Sequence, residues 1–376
     1  MEYAVLLIKP ASSLCNMNCR YCFYRSLSEK REQSSYGCMN ADTASRIIDE
    51  AFCVARRGVN FAFQGGEPTL AGLDFFRAFV QTAEVRRPLG LEIAYSIQTN
   101  GLLVDADWAQ FFKQHRFLVG LSLDGPKELH DYLRQDGKGN GTFARVMKTA
   151  RLLEKHGVDF NILTVVSAGV ARHAEKVYRF FKSQGFSYLQ FIPCLDPLDQ
   201  PPFGNEQSLT PALYGAFLKR LFMLYYEDFM ADRYVSIRFF DNLVRVMQGL
   251  PSEQCGMHGA CSGQIVIEGD GTVYPCDFYC VDRWRLGNIH EQPLDELLGC
   301  DTMRAFIASS EHRDPQCAAC DVAFLCRGGC RRDRDPHTDG RAGENVYCGV
   351  LREFYRYAAP LLAEMVARLR RQGGLS

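Results

Sequence analysis

Six short runs rich in β-branched and aromatic residues recur through the first 225 positions: LLIK (6–9), NFAFQ (60–64), EIAYSIQ (92–98), FLVGLSL (117–123), FNILTVV (160–166) and YLQFI (188–192). Between them lie stretches with apolar residues at helical spacing, such as TASRIIDEAFCVARR and TFARVMKTARLLEKH. Six strand–helix units in series predict parallel strands, hence an α/β fold that is either a doubly wound sheet or a barrel. Gly58, Gly157 and Gly185 stand where three helical stretches stop and suit the left-handed residue after a helix end.

The strand ends carry the information about function. GGEP (65–68), QTNG (98–101), SLDGP (122–126) and CLDP (194–197) fall at or just past the carboxyl ends of the expected strands, and CNMNCRYC (15–22) takes the same place after the first. Ligands and catalytic groups collect on that edge of parallel α/β folds. Five polar turns on one rim predict a site.

Beyond PLDQPPFGNEQSLTP (197–211) the character changes, and a helix is expected near 211–232. A cysteine-rich region follows, in which EGDGTVYPC sets an Asp-Gly turn between short β runs, a hairpin signal. The tail from about 349 to 371 reads as an amphipathic helix. Two domains are expected, 1–232 and 233–376.

With Lys plus Arg at 43 and Asp plus Glu at 44, no global charge points to nucleic acid or an acidic membrane. No run is long enough for a signal-peptide core or a bilayer span, so a soluble cytoplasmic protein is expected. In a reducing compartment the 16 cysteines imply metal or redox chemistry rather than disulfides. Cys38, Cys53, Cys194, Cys280 and Cys300 are scattered or lack a partner at ligand spacing, and most of them are expected to act as small buried apolar residues.

Structural zinc closes a tetrahedron with four ligands, whereas Cys15, Cys19 and Cys22 offer three. A 4Fe–4S cluster on three thiolates keeps one iron without a protein ligand, a vacancy for a small molecule. Cys255, Cys261, Cys276, Cys317, Cys320, Cys326, Cys330 and Cys348 make two sets of four, enough for two closed clusters or two zinc sites. Spacing alone groups Cys317, Cys320, Cys326 and Cys330, although ligands can interleave between neighbouring centres.

With C-x-x-x-C-x-x-C followed by Phe23, and then GGEP, the chain resembles the radical S-adenosylmethionine enzymes. Its cysteine-rich half resembles their SPASM extension. LLIKPASSLCNMNCRYCFY, FAFQGGEPTLAGL, VGLSLDGPKELHD, VSIRFFDNL, VYPCDFY and LCRGGCRRDRD resemble the anaerobic sulfatase-maturating enzymes. The resemblance implies a partial six-unit β/α barrel followed by a SPASM-type domain with two auxiliary clusters, three 4Fe–4S clusters in all. It implies that S-adenosylmethionine binds the open iron and yields a 5′-deoxyadenosyl radical, which takes a Cβ hydrogen from a sulfatase cysteine or serine on the way to formylglycine.

By family position, Tyr21, Gly66, Ser122, Arg134 and Leu195 would cradle the cofactor. Arg134 suits carboxylate or ribose oxygens, though YLRQDGKGN by itself reads as carrying a solvated charge. Asp277 matches the family's base, and burial that raised a carboxyl from about 3.9 toward a thiol near 8.5 would help it; alone, it would cap a turn. The resemblance assigns Cys255, Cys261, Cys276 and Cys330 to one auxiliary cluster and Cys317, Cys320, Cys326 and Cys348 to the other. Cys280 in CDFYC departs from the pattern.

The implied partners are a sulfatase polypeptide with a Cys/Ser-x-Pro-x-Arg-type motif and an electron donor such as flavodoxin or ferredoxin, with neither nucleic acid nor membrane. Two rivals remain: a radical enzyme that crosslinks a ribosomal peptide, and a zinc-stabilised module that touches RNA through RGGCRRDR (327–334). A solvated face is the expected reading of that basic run.

Overall fold

The computed structural model describes residues 1–198, 200–334 and 343–373. They form two compact units, the first made of Met1–Leu123, His130–Asn161 and Gly263–Phe306, the second of Asp124–Leu129, Ile162–Ser262 and Ile307–Ser376. The six expected strands are present as β1 (Tyr3–Ile8), β2 (Gly58–Phe63), β3 (Glu92–Thr99), β4 (Leu118–Ser122), β5 (Phe160–Val166) and β6 (Tyr188–Pro193). Four shorter ones follow: β7 (Ser236–Ile237), β8 (Ile265–Ile267), β9 (Thr272–Tyr274) and β10 (Gly287–Asn288).

Strand order decides between the two α/β alternatives. In the first unit β1, β2, β3 and β4 are neighbours in chain order and pair in parallel. A doubly wound sheet reverses direction at a switch point. None occurs along this run, so it has the winding of a (β/α) barrel wall. In the second unit β5, β6 and β7 likewise pair in parallel in chain order.

Aromatic residues on the helix-facing side of the strands build the first unit's core. Phe63 packs edge-on against Phe76 at 4.9 Å and Phe79 at 5.1 Å, while Tyr95 stacks on Phe117 at 5.1 Å. Burying each such ring is worth about 1.5–3 kcal/mol, and edge or offset pairing adds about 0.5–1.5 kcal/mol per pair. Helix ends follow local chemistry: Asn40 and Asp105 cap the helices Ala41–Val54 and Ala106–Gln114. Gly157 and Gly185 take the left-handed conformation after helices, as expected.

Gly58 does not. It opens β2, where a Cβ would stand 2.9 Å from the Tyr3 ring, so this glycine supplies space rather than a left-handed turn.

The expected hairpin forms as β8 and β9. Less expected is its position: β8 pairs in parallel with β1, with Leu6 opposite Ile265 and Ile8 opposite Ile267. The second unit holds the long helices Pro211–Met230, capped by Thr210, and Cys348–Arg371. They meet through rings such as Phe222 and Phe354 at 5.8 Å.

Of the five cysteines set apart from the ligand sets, Cys194 and Cys280 are buried, Cys300 is half-buried, and Cys38 and Cys53 are exposed. The small-apolar role therefore fits two of them, fewer than expected. Among the described residues no helix is long and apolar enough to cross a membrane.

Candidate active site

The loop after β1 is braced from two sides. Gly66 N–H donates to the Ser12 carbonyl and Glu67 N–H to that of Leu14, both at 2.8 Å. A Cβ at Gly66 would lie 2.1 Å from the Leu14 carbonyl oxygen, so the GGEP turn can approach only without a side chain. Glu67 is fully buried and accepts from the Thr69 and Thr99 hydroxyls and from the Asn100 N–H. Burial pushes its carboxyl up, with those donors pulling the other way. Asn100 in turn donates to Asn16 at 2.8 Å and lies 3.9 Å from Cys15 Sγ. The QTNG and GGEP turns thus both hold the segment that carries the cysteine triplet.

A second brace brings in residues from the segment after β4. Met17 bridges Asp136, Asn18 N–H donates to the Gln135 carbonyl, and Arg20 N–H to that of Leu133. That pairing sets the Arg134 guanidinium 5.4 Å from the Tyr21 ring centroid. Arg134 is only 6% exposed, so it is not the solvated charge that its local sequence suggests. Ser122 is buried and accepts from Gln98 at 3.0 Å. Tyr21, Gly66, Ser122 and Arg134 therefore belong to the first unit with the triplet, whereas half-buried Leu195 belongs to the second.

The donor set fits the implied cofactors. Cys15 and Cys22 are exposed and Cys19 is half-exposed, so three soft ligands stand open on one loop. Among the described residues, no three His, Cys, Asp or Glu side chains converge on a point that would grip a single metal ion. Each thiolate of a four-iron cluster binds a different iron, so its ligands need not converge.

Asp277 opens a short turn just after β9. Because β8 docks on β1, this turn stands beside the end of β1, where Lys9 N–H donates to the Ile267 carbonyl at 2.8 Å. Lys9 Nζ meets Asp277 Oδ1 at 2.5 Å, and Gln64 Nε2 donates to Oδ2 at 2.5 Å. Asp277 is buried, and Lys9 is entirely so. Burial works against the Lys9 ammonium, but Asp277, Cys280 and Glu268 together outweigh it and raise its pKa.

Beneath Lys9 lies a second polar layer. Its ammonium sits 3.4 Å from the Tyr24 ring centroid, Tyr24 donates to Glu268, and Arg31 Nη1 meets Glu268 Oε1 at 2.7 Å. Cys280 is wholly buried here, and burial pushes its thiol far above the ordinary range. Lys9 and Gln64 escaped the sequence reading. The signal was present: both stand at carboxyl ends of strands, on the rim that the polar turns had marked.

In the second unit the later cysteines fall into neighbourhoods. Burial raises the Cys330 thiol, followed by Asp333, with Cys255 and Cys261 adding to it. A Cβ on Gly256 would lie 3.5 Å from that of Cys330. Cys326 is likewise raised by burial, with Cys317 and Cys320 contributing. Cys348, at the start of the tail helix, is pushed up to about 11 by burial, then Glu344, then Cys326 and Cys317. Half-buried Cys276 is in the first unit.

The basic run at 327–334 is not a solvated face. Arg331 and Arg334 are each 2% exposed, and Arg334 donates to the carbonyls of Gly259, Ser310 and His312. Ser310 Oγ accepts from the Cys261 N–H at 2.8 Å, so this arginine organises a cysteine loop rather than a surface for RNA.

Residues 10–181 match the family model of the radical SAM superfamily, and residues 255–321 match that of an iron–sulfur cluster-binding domain, SPASM. The cysteine-type anaerobic sulfatase-maturating enzyme of Clostridium perfringens (strain 13 / Type A) is 46% identical, over 97% of this chain and 99% of its own length. A serine-type anaerobic sulfatase-maturating enzyme of Klebsiella aerogenes is 31% identical, over 96% of this chain and 85% of its own. The structure of native anSMEcpe with bound AdoMet and Cp18Cys peptide superposes with a TM-score of 0.93 at 45% identity, covering 98% of this chain and 99% of that one.

Proposed function

The chain belongs to the anaerobic sulfatase-maturating enzymes of the radical S-adenosylmethionine superfamily, and from that premise we propose that it oxidises a cysteine of a sulfatase polypeptide to formylglycine. Cysteine is favoured over serine because the cysteine-type relative is 46% identical and the serine-type 31%. The observation that carries the reading is Asp277, a buried carboxylate held between Lys9 and Gln64 on the strand-end rim of the unit that bears the open triplet.

When bound on Cys15, Cys19 and Cys22, the cluster and S-adenosylmethionine supply a 5′-deoxyadenosyl radical able to take a hydrogen atom from Cβ. The side chain CH2–SH must then lose one hydrogen atom, one proton and one electron to become CH=S. Water replaces the sulfur, releasing hydrogen sulfide and leaving the aldehyde. The protein's part is placement and proton handling. Asp277 takes the thiol proton. Tyr21, Gly66, Ser122, Arg134 and Leu195 cradle the cofactor, with Arg134 pairing to carboxylate or ribose oxygens.

The auxiliary ligand sets are those the resemblance implies, giving three clusters and an exit for the second electron. We place the cofactor-binding domain at 1–232 and the auxiliary domain at 233–376; the two family models fall on either side of that boundary. A cytoplasmic location keeps the thiols reduced, and flavodoxin or ferredoxin suits the electron supply.

The test is anaerobic reconstitution with S-adenosylmethionine and a Cys-x-Pro-x-Arg peptide, read by mass spectrometry. The peptide should lose the elements of hydrogen sulfide and gain oxygen; loss of hydrogen alone would indicate a crosslink. Replacing Cys15, Cys19 and Cys22 by Ala should stop 5′-deoxyadenosine formation, and an unchanged rate would overturn the reading. Asp277→Asn should still release 5′-deoxyadenosine but make little aldehyde; a full aldehyde yield would remove Asp277 from its role.

A further inference from the structure

Four charged side chains lie almost out of solvent around the Asp277 turn: Lys9 and Glu268 at 0% exposure, Arg31 and Asp277 at 5%. Their charges cancel, two against two. Stability alone does not explain them. Glu268 Oε2 and Arg31 Nε are buried without a hydrogen-bond partner, and a buried ion pair with unsatisfied atoms is commonly no better than an apolar filling of the same volume. A fold keeps so costly an arrangement where function requires it.

The geometry indicates what that function is. A carboxylate offers about four lone-pair directions. At Asp277 one oxygen faces Lys9 and the other Gln64, donors from the ends of two adjacent strands, β1 and β2. Two donors on two oxygens fix the plane of the carboxylate and so the direction of the lone pairs left over. Gln64 is neutral, so Lys9 alone supplies charge. Its ammonium is held from the other side by the Tyr24 ring, whose hydroxyl binds Glu268, itself paired with Arg31.

We propose that Lys9 is a positioning residue of the oxidation, fixing the Asp277 carboxylate, and that the Arg31–Glu268 pair, acting through Tyr24, holds Lys9 in place. This rests on the reading of Asp277 as the group that takes the substrate proton. Lys9 then controls how often a cleaved cofactor ends in aldehyde rather than in a wasted turnover.

The experiment compares reconstituted wild type with Lys9→Met, Glu268→Gln, Asp277→Asn and Lys9→Met/Asp277→Asn. It measures aldehyde formed per 5′-deoxyadenosine, peptide affinity by anisotropy, and thermal unfolding of each loaded protein. Lys9→Met should bind peptide within about twofold of wild type yet lower the aldehyde ratio about ten- to a hundredfold, the range expected when a catalytic group is displaced. Glu268→Gln, which keeps both inner residues, should lower the ratio about threefold, a smaller effect of the same origin. Lys9→Met should also unfold roughly 5 °C lower because it strands a buried carboxylate, and adding Asp277→Asn should recover most of that loss.

A wild-type aldehyde ratio in Lys9→Met, with Asp277→Asn inactive, overturns the positioning role while leaving the base in place. A wild-type ratio in Asp277→Asn removes the base itself, a separate failure. If Lys9→Met does not fold, Glu268→Gln decides: an unchanged ratio there overturns the proposal.

Discussion

At Gly66 a single absent methyl group determines whether the cysteine loop can seat. The atom that a Cβ would strike is the Leu14 carbonyl oxygen at 2.1 Å, part of a backbone that also accepts the Glu67 N–H. No rotamer relieves that clash, so Gly66→Ala must push the loop outward. We expect a loss of about 1–3 kcal/mol in stability from overpacking. We also expect a tenfold or greater fall in 5′-deoxyadenosine formation, roughly what a displacement near 1 Å costs. Calorimetry and product assay on the reconstituted variant check both; an unchanged product rate would mean that the loop has slack. The glycine was legible in GGEP, but its physical reason was not, because the colliding atom lies more than fifty positions earlier in the chain. Arg134 shows the same limit. Its neighbours in YLRQDGKGN are those of a solvated turn, yet it is buried where Asn18 and Arg20 pair with residues 133–135.

Strands and helices were easier to read than their partners. Each of the six main strands coincides with its β-rich run to within a few residues, because β-branched and aromatic spacing is a local property. The β8–β9 hairpin was legible for the same reason. Its docking on β1 was not: a parallel pairing of residues 6–8 with 265–267 leaves no trace in either segment alone. Yet that docking carries Asp277 to Lys9. Ile267 is the hinge of the arrangement, wholly buried, opposite Ile8, and with its carbonyl bound by Lys9 N–H. Ile267→Ala should cost about 2–5 kcal/mol, the usual range for a buried truncation of this size. It should also loosen the turn behind β9, so aldehyde yield should fall more than 5′-deoxyadenosine yield. Equal losses of the two products would show that the hairpin supports the fold without orienting the base.

For the molecule as a whole the matter to decide is how the eleven cysteines proposed as ligands divide, and sequence spacing and electrostatic neighbourhood disagree. Spacing puts Cys330 with Cys317, Cys320 and Cys326, whereas the thiols that act on it electrostatically in the fold are those of Cys255 and Cys261. Directly after Cys326 the chain turns through left-handed Arg327, Gly328 and Gly329, a change of direction that spacing along the sequence does not register. Double substitution separates the alternatives by counting iron. The three four-iron clusters proposed above would hold about twelve irons, and losing one ligand from a cluster is expected to empty that cluster of about four. Cys255→Ala with Cys330→Ala should therefore lose about four irons, no more than either change alone, because both strike one centre. Cys326→Ala with Cys330→Ala should lose about eight, because they strike two. Iron and sulfide analysis, with electron paramagnetic resonance to follow each centre, reads the difference directly. A loss of only four irons in the second pair would return Cys330 to its sequence neighbours and separate it from Cys255.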